Sequence, residues 1–399
     1  MNKPRIFIAA HYLEIGGAEI SLIGLLNAID HDRFDVDLFL YARRGELLAL
    51  VPPQVRLLPE IPEYAQMENP IRDVIAAGHW RQALARIRAK IRYSRWRRRN
   101  NPPSPEAFFQ YLDNEITPGL PSQHNLGEYD LAVNFIALKN HIPAKVRAKK
   151  TAVWIHTDFS TIPLNAPLEL PAWQAYDHIV SISPQVTASF INVFPTLAPK
   201  IVEIENILSP AFVRARAEAF DARPEIHAGK AVKLLSVGRF CTAKNYDNVP
   251  DICRRIIEKG IDVVWYIIGF GGDEDLIRRK IAEAAMEKRV IILGKKTNPY
   301  PYIKACDIYV QPSRYEGKSV TVREAQMLCR PVVVTDYKTA KSQIDDGIDG
   351  RIVPMDNEAC ADAIARFISD TDLQARITRN LETNDFGNEA EVLKFYDLI

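Results

Sequence analysis

Short apolar runs alternate with helical patterns along nearly the whole chain. The runs that predict strands are 6–10, 36–40, 131–135, 152–155 and 178–182 in the first half, and 233–237, 263–268, 290–293, 308–311 and 331–335 in the second. Runs of Val, Ile and Leu without polar alternation are typical of parallel strands covered on both faces. Because helical patterns separate these runs, the sequence predicts βαβ units and an α/β fold with doubly wound parallel sheets.

The two halves of the chain differ in regularity. The second repeats strand and helix evenly, whereas the first carries an irregular insert at about 60–126. A poorly periodic stretch follows the strand-like run 201–210, and we place a domain boundary there. We therefore expect two Rossmann-like domains facing each other across a cleft, 1–205 and 206–385, followed by a C-terminal helix in 386–399.

Composition excludes several classes of protein. The chain is 47% hydrophobic and 25% charged, as globular proteins are, and 51 Lys and Arg against 50 Asp and Glu leave no global field for nucleic acid. Five scattered cysteines without a CxxC pair argue against a disulfide framework or a zinc site. With only a short apolar run near the first residue and no spanning stretch, we expect a cytoplasmic protein.

The stretch 311–330 carries the strongest candidate chemistry. A strand ends at Pro312-Ser313, and a helix is predicted to begin near Gly317 or Lys318. The backbone amides that would point beyond the carboxyl end of the strand, where open α/β sheets bind anions, belong to Gly317, Lys318, Ser319 and Val320.

Two acidic residues accompany these amides. Glu316 lies in the loop before them, and Glu324 lies one to two turns into the helix. Acceptors at the two ends of a diphosphate suit a nucleotide sugar, one for sugar hydroxyls and one for ribose hydroxyls. The alternative is a helix whose acidic residues only favour its macrodipole.

A pair of cations is predicted at the same sheet edge. Arg239 follows the first strand of the second half, and Lys244 follows five residues later. Such a pair stabilises a departing nucleoside diphosphate where no metal neutralises it. The alternative is two solvated surface cations.

These motifs together resemble the retaining glycosyltransferases of the GT-B fold, family 4. The resemblance rests on Gly16-Gly17-Ala18-Glu19, on Gly238-Arg239 with Lys244-Asn245, on 312–317 with the Glu316 and Glu324 spacing, and on 347–350. It is stronger over about 231–370 than in the first half. Gly269-Phe270-Gly271 fails as a dinucleotide fingerprint and is interpreted as a loop lining the donor site.

The resemblance implies roles for matching residues. Arg239 and Lys244 would hold the donor diphosphate, Glu324 the ribose, and Glu316 with the amides of 317–320 the donor sugar and distal phosphate. The remaining implied site residues are Gly16 and Gly17 near the phosphates, Gly294 and Lys295 near the nucleobase, Gly269 in the loop lining the donor site, and His156 against the sugar. Lys318 departs from the small or aromatic residues of many relatives, which leaves the donor open.

The implied activity is transfer of a sugar, with retention, from a nucleoside-diphosphate sugar to a hydroxyl of a glycan or lipid-linked glycan, in surface polysaccharide synthesis. A UDP-sugar is the favoured donor, and no cofactor or metal is expected. The C-terminal helix is expected to cross back onto the first domain, as in relatives. Two alternatives stay open: an inactive GT-B scaffold at the membrane, and a GT-B nucleotide-sugar epimerase.

The segment 80–99 is unusually basic. It carries nine basic residues, and no acid occurs between Asp73 and Glu106. Trp80, Leu84, Ile87 and Ile91 share one face of the predicted helix. One interpretation is a helix packed on its domain with a solvated basic face. The other is an amphipathic helix on an anionic membrane, with the candidate lipid contacts Arg88, Arg92, Arg95, Arg97, Arg98 and Arg99.

Overall fold

The computed structural model describes residues 3–102, 107–160 and 162–399, with the backbone alone at residue 68. The chain divides into two compact units. Unit 1 comprises Met1–Ile207 together with Glu389–Ile399, and unit 2 comprises Leu208–Asn388. The chain therefore passes from unit 1 into unit 2 and returns to unit 1 for its last eleven residues.

Unit 1 is built on a parallel sheet. Its strands are β1 (Arg5–Ala10), β2 (Asp35–Leu40), β3 (Arg56–Leu57), β4 (Glu128–Ile136), β5 (Arg147–Ile155), β6 (His178–Ser181) and β7 (Ile201–Glu203). Its first helices are α1 (Gly17–Ala28), α2 (Pro62–Ala65), α3 (Ile71–Ala76), α4 (Trp80–Asn100), α5 (Phe108–Ile116), α6 (His141–Lys145), α7 (Ala166–Gln174) and α8 (Pro184–Val193). The insert predicted as irregular is thus largely helical, since α2 to α5 fall within it.

The strand order of this sheet is β3-β2-β1-β4-β5-β6-β7, and every recorded pairing is parallel. The central strand β1 is buried over Ile6–Ala10, so its side chains form core on both faces. This burial explains the unbroken apolar run, because a strand covered on both sides has no polar face to alternate with.

Unit 2 repeats the same plan. Its strands are β8 (Val232–Val237), β9 (Val263–Ile268), β10 (Val290–Gly294), β11 (Ile308–Gln311), β12 (Val332–Thr335) and β13 (Arg351–Val353). Its helices are α9 (Pro210–Ala217), α10 (Val249–Glu258), α11 (Glu274–Glu283), α12 (Tyr300–Ala305), α13 (Val320–Met327), α14 (Asn357–Ser369) and α15 (Thr371–Thr383).

The order of the second sheet is β10-β9-β8-β11-β12-β13. The strand order reverses between β8 and β11, which pair in parallel. In an open α/β sheet, the loops that follow the two strands at such a switch point leave a crevice in which ligands bind. The loop after β8 and the loop after β11 contain Arg239, Lys244 and Glu316, so the sheet itself brings these predicted residues to one edge.

The last residues complete unit 1. Helix α16 (Val392–Tyr396) places the Tyr396 ring 4.5 Å from that of Phe34, in a stacked arrangement. The Asp30 amide donates to the Tyr396 hydroxyl at 2.8 Å. Phe395 is fully buried, 6.0 Å from the Trp154 ring. The C-terminal segment is therefore part of the packing of unit 1.

Helix α4 packs through a face that the apolar pattern did not indicate. Its buried residues are Gln82, Ala83, Ala85, Ala89 and Tyr93. The residues expected to share an apolar face, Trp80, Leu84, Ile87 and Ile91, are all exposed. Tyr93 packs against the Phe108 and Tyr111 rings of α5, and the large apolar residues lie on the exposed side of the helix. None of the helices described is long and apolar enough to cross a membrane.

Candidate functional site

The loops after β8 and β11 are locked together by an arginine. Arg314 makes a bidentate ion pair with Asp247, at 2.9 and 2.7 Å. Its guanidinium also donates to the carbonyl of Thr242 at 2.7 Å, and its amide donates to the carbonyl of Ala243 at 2.8 Å. The Asp247 carboxylate raises the pKa of Arg314. Because a bidentate pair fixes both distance and orientation, Lys244 is held at a defined place above the sheet edge.

Lys244 and Glu316 meet at the centre of the site. The Lys244 Nζ lies 2.6 Å from Glu316 Oε1, and the two side chains are only 18% and 12% exposed. Gln311 Nε2 and Ser313 Oγ donate to the same carboxylate oxygen, at 3.1 and 2.7 Å. Three donors on one oxygen fix the orientation of the Glu316 carboxylate, and they balance its charge in a partly desolvated place.

Hydroxyl groups beneath the loop hold its backbone. Tyr309 donates through its hydroxyl to Gln311 Oε1 at 2.7 Å, which fixes the amide of Gln311. The hydroxyl of Thr335 donates to the carbonyl of Ser313, and that of Thr339 donates to the carbonyl of Glu316 at 3.0 Å. The loop is therefore positioned from the adjacent strand β12 and its following turn, which leaves little freedom around Glu316.

Glu324 is buried in helix α13 and is only 2% exposed. The Tyr300 hydroxyl donates to Glu324 Oε1 at 2.8 Å. Burial raises the pKa of Glu324 to about 7, although the hydrogen bond from Tyr300 acts in the opposite direction. A carboxyl group that titrates near neutral pH inside a candidate site is typical of functional residues.

Helix α13 begins later than the sequence predicted, and one of the backbone amides that were predicted to be free for anion binding is not free. The helix starts at Val320, with Ser319 as its N-cap. The Ser319 amide donates to Gln343 Oε1 at 3.1 Å, and Gln343 Nε2 donates back to the Ser319 carbonyl. The prediction of a helix beginning near Gly317 or Lys318 was wrong, and the Ser319 amide is occupied because a distant side chain binds both polar groups of that residue.

The loop carrying Arg239 depends on close backbone contact with the loop after β9. An added Cβ at Gly269 would lie 1.9 Å from the Gly238 carbonyl oxygen, and one at Gly271 would lie 2.3 Å from the Phe240 carbonyl oxygen. Both glycines have positive φ, which other residues rarely adopt. Arg239 is exposed at this junction, and its guanidinium has no ion pair within the described part of the chain. The backbone that carries it is thus fixed by close contact between the two loops.

Gly294 is the last residue of β10, and Lys295 follows it at the same edge of the sheet. The Gly269 amide donates to the Gly294 carbonyl at 3.0 Å, so the loops after β9 and β10 are joined. The Lys295 Nζ lies 4.9 Å above the Phe270 ring. The predicted residues Arg239, Gly269, Gly294 and Lys295 therefore lie on consecutive loops at one end of the second sheet.

The predicted residues of the first half lie in unit 1. His156 follows β5; its Nε2 contacts the Phe135 carbonyl at 2.9 Å, while its Nδ1 is buried without a partner among the described residues. Burial lowers the pKa of His156 to about 4, so the ring is neutral at pH 7. Gly16 caps α1, and the place of its missing Cβ is filled by the Glu19 carboxylate, whereas Gly17 faces open space. The carboxylate is the end of a flexible side chain that can move aside, so neither Gly16 nor Gly17 is fixed by backbone contacts within unit 1.

The basic residues of α4 divide into two groups. Arg88 and Arg92 both pair with Glu115 of α5, the former at 3.2 Å, so these two candidate lipid contacts are engaged within unit 1. The other four candidates, Arg95, Arg97, Arg98 and Arg99, are exposed and have no ion pair among the residues described.

Several residues that build the site were not predicted. Tyr300 and Gln343 belong to other elements, and no local pattern in the sequence marks them as partners of α13. Gln311 gave a weak signal, because a polar residue ends an otherwise apolar strand. Within the described residues, no group of three His, Cys, Asp or Glu side chains is close enough to hold a metal ion.

Comparison with known proteins defines the class. The structure aligns over 99% of this chain with Anabaena HepE in complex with UDP-glucose, covering 100% of that chain with a TM-score of 0.67 and 16% identity. It aligns over its full length with TarM of S. aureus, covering 99% of that chain with a TM-score of 0.65 and 14% identity. With its two doubly wound sheets, the chain has the GT-B fold, as the sequence predicted.

The sequence of the second half matches a known family. Residues 218–383 match the profile of the glycosyl transferases group 1. The match lies within unit 2 and includes the Lys244–Glu316 pair, Glu324 and the three loops described above.

Two curated relatives align with this chain over stretches of comparable length. An alpha-D-kanosaminyltransferase of Streptomyces kanamyceticus is 27% identical over 150 residues, 37% of this chain. An alpha-N-acetylgalactosaminyltransferase of Campylobacter jejuni, named for a diphospho-undecaprenol substrate, is 32% identical over 126 residues, 31% of this chain. The chain spans 39% of the length of the first relative and 34% of the second.

Proposed function

We propose that this chain is a retaining glycosyltransferase. It moves a sugar from a nucleoside-diphosphate sugar, with UDP as the favoured carrier, to a hydroxyl of a glycan or lipid-linked glycan in surface polysaccharide synthesis. The observation that carries the proposal is the Lys244–Glu316 pair at the switch point of the second sheet, with Arg239 exposed on the loop after β8 and Glu324 buried in helix α13.

The chemistry of these groups suits a diphosphate leaving group. Arg239 and Lys244 are cations at the carboxyl edge of the sheet, and cations placed where negative charge develops lower the barrier to its departure. Glu316 is held by three donors, so its carboxylate is oriented to accept sugar hydroxyls. Glu324, once ionised, accepts ribose hydroxyls.

In the proposed step, the bond from the sugar C1 to the phosphate oxygen breaks, and a bond from C1 to the acceptor oxygen forms on the same face. The acceptor proton passes to the departing diphosphate, so no dedicated protein base is required. Neutral His156 is proposed to contact the donor sugar, with Gly16 and Gly17 near the phosphates. The proposal includes no metal ion.

Support for the donor and the acceptor comes from the relatives. HepE binds UDP and UDP-glucose in its structures. An Escherichia coli relative, 27% identical over 168 residues, is named as a galactosyltransferase that uses UDP-Gal and a diphosphoundecaprenol-linked acceptor. The paired cations and carboxylates of unit 2 suit such a donor, and the lipid-linked acceptors in the names of two relatives support the acceptor class.

The test is nucleotide binding to the full chain. Thermal unfolding is measured with UDP, GDP, ADP and dTDP, each with and without EDTA. A nucleotide at about 100 times its Kd adds roughly 2.7 kcal/mol to the free energy of unfolding. We expect this gain with UDP, unchanged by EDTA, and weakened about tenfold or more in Kd by Arg239→Ala.

The matched control is Arg279→Ala, which removes an exposed arginine within helix α11, outside the site loops, and should leave the Kd unchanged. Absence of binding by all four nucleotides would refute a donor site and favour a scaffold. Binding followed by interconversion of the free nucleotide sugar without an acceptor would favour an epimerase. NMR of the product anomer tests retention.

A further inference from the structure

Exposed apolar side chains are concentrated in one segment of unit 1. Eleven large hydrophobic side chains are exposed in the described chain, and six of them lie between residues 75 and 109. Scattered exposed apolar residues are normal on a soluble surface, whereas a contiguous group marks an interaction site. This segment therefore requires a partner that the fold of unit 1 does not supply.

Four of these residues form a continuous stripe along α4. Trp80, Leu84, Ile87 and Ile91 are 60%, 43%, 41% and 47% exposed. At about 100° per residue they fall within a sector of roughly 60°, and buried Ala89 lies on the opposite side of the helix. We name these four residues the apolar stripe. It points away from the packed face, directly into solvent.

Cations surround the apolar stripe. Arg88 and Arg95 lie beside it on the helical wheel, Lys90 lies on its other flank, and Arg98 continues its line toward the end of α4. Helix α4 carries nine basic residues and no acid, while the whole chain has a net charge of only +1. The positive charge is thus local to the helix that exposes the stripe.

The helix macrodipole accounts for only part of this pattern. Arg97, Arg98 and Arg99 occupy the last turn, where cations are favourable in any helix. That argument explains neither the cations earlier in α4 nor the exposure of the apolar stripe, so the two features point independently to an external partner.

We propose that the apolar stripe and the basic flanks of α4 dock on an anionic lipid bilayer surface. An interfacial helix places its apolar face at the boundary between headgroups and acyl chains while its cations contact acidic headgroups. Trp80 stands at the beginning of the stripe, and tryptophan favours that boundary. Self-association through the same face would bring two such cationic helices together, which their charge opposes.

The inference does not depend on the proposed transfer reaction, because the docking is measured without donor or acceptor. The full chain is sedimented with vesicles of phosphatidylglycerol and phosphatidylethanolamine, and with vesicles of phosphatidylcholine alone. We expect binding to the anionic vesicles that decreases in high salt, and much weaker binding to the neutral ones.

Two variants separate the apolar and the electrostatic contributions. Substitution of all four residues of the apolar stripe by Gln should lower the partition coefficient about tenfold or more. Substitution of Arg95, Arg97, Arg98 and Arg99 by Gln should lower it on the order of 600-fold, since each of the four cations near an anionic surface contributes roughly fivefold. All these residues are exposed, so the fold should be retained.

Matched controls lie outside α4. Four other exposed apolar residues, Phe220, Ile348, Met355 and Leu393, are replaced by Gln in one control, and four exposed cations, Lys230, Arg279, Lys288 and Arg376, are replaced by Gln in the other. Both controls should bind vesicles like the wild type. If a control loses binding as strongly as its partner variant, a site on α4 is refuted.

Trp80 reports insertion directly. We expect a blue shift of its emission and quenching by brominated acyl chains, both lost in Trp80→Phe. Anionic vesicles that neither bind the wild type nor quench Trp80 would overturn the proposal. A dimer in solution that dissociates when the apolar stripe is replaced would also overturn it, because the stripe would then be an interface between copies of the chain.

Discussion

Glu324 is a site residue whose ionisation is strongly set by its surroundings. Its carboxyl group is buried, it receives one hydrogen bond from Tyr300, and burial raises its pKa from 4.5 to about 7. The group therefore changes charge near neutral pH. A carboxyl that binds more protons in the folded state than in the unfolded state makes the free energy of unfolding fall as pH rises.

This gives a prediction for Glu324→Gln. The raised pKa means that the wild type loses stability between about pH 4.5 and 7, whereas the neutral amide does not titrate. At one pKa unit per 1.36 kcal/mol, the variant should be more stable than the wild type by up to about 3 kcal/mol at pH 8, and close to it at pH 5. Denaturant unfolding without ligand at the two pH values measures the difference.

The same variant tests the role of Glu324 in binding. If the ionised carboxylate accepts ribose hydroxyls, UDP affinity of the wild type should fall as pH drops from 8 to 6, and the Gln variant should bind weakly at both. Equal UDP affinity in the wild type and the variant at pH 8 would show that Glu324 serves packing alone.

At the scale of elements, the loop that follows β9 in unit 2 requires glycine at a position of close backbone contact. The Gly269 backbone approaches the Gly238 carbonyl so closely that a methyl group has no room, and its φ of 157° is unfavourable for other residues. Gly272, three residues on, has open space around it. The two positions therefore differ in sterics although they lie in one loop.

We predict that Gly269→Ala lowers the free energy of unfolding by at least about 2 kcal/mol, since it adds backbone strain and a clash. It should also weaken UDP binding, because the clash with the Gly238 carbonyl displaces the loop after β8, which carries Arg239. Gly272→Ala should change stability by no more than about 0.5 kcal/mol. Denaturant unfolding compares them, and equal effects of the two substitutions would contradict the close-contact explanation.

The elements themselves were largely predictable from the sequence. The runs 263–268 and 308–311 coincide with β9 and β11, because strands buried on both faces leave an unbroken apolar run with sharp ends. The short edge strands β3 and β13 have little burial and gave little signal. Residues that follow the strand ends, such as Arg239 and Glu316, could be placed together because topology alone brings loops to one sheet edge.

What the sequence could not predict depends on contacts between distant residues. The predicted start of α13 was wrong. Gln343, 24 residues away, binds both backbone polar groups of Ser319, and no local pattern indicates that contact. Tyr300 donates to Glu324 from a different helix, so its effect on the pKa of that carboxyl could not be predicted from the sequence. The packed face of α4 could not be predicted from periodicity, since it consists of small residues and Tyr93, whereas the more apolar face of the helix is exposed.

At the scale of the whole molecule, unit 1 is assembled from two separate stretches of chain. Phe395 is fully buried there, whereas Leu393 is 59% exposed on the same short helix. Removal of a buried phenylalanine side chain leaves a cavity, and the packing around Trp154 loses a partner. The stability of unit 1 therefore depends on residues far from the rest of its sequence.

We predict that Phe395→Ala lowers the free energy of unfolding of unit 1 by about 3 to 5 kcal/mol. Leu393→Ala should change it by no more than about 0.5 kcal/mol. Limited proteolysis and denaturant unfolding, with cleavage sites mapped by mass spectrometry, assign the loss to unit 1. Equal protection of Met1–Ile207 in both variants would contradict an essential role for the C-terminal segment.

The return of the chain to unit 1 has a consequence for synthesis on the ribosome. Unit 2 is continuous, so it can fold once residue 388 has left the exit tunnel. Unit 1 is synthesised first, but Phe34 and Trp154 lack their ring contacts with Tyr396 and Phe395 until residues 389–399 emerge. The half of the chain that is translated first is thus the half that finishes folding last, and during that interval its incomplete core is a natural target for chaperones.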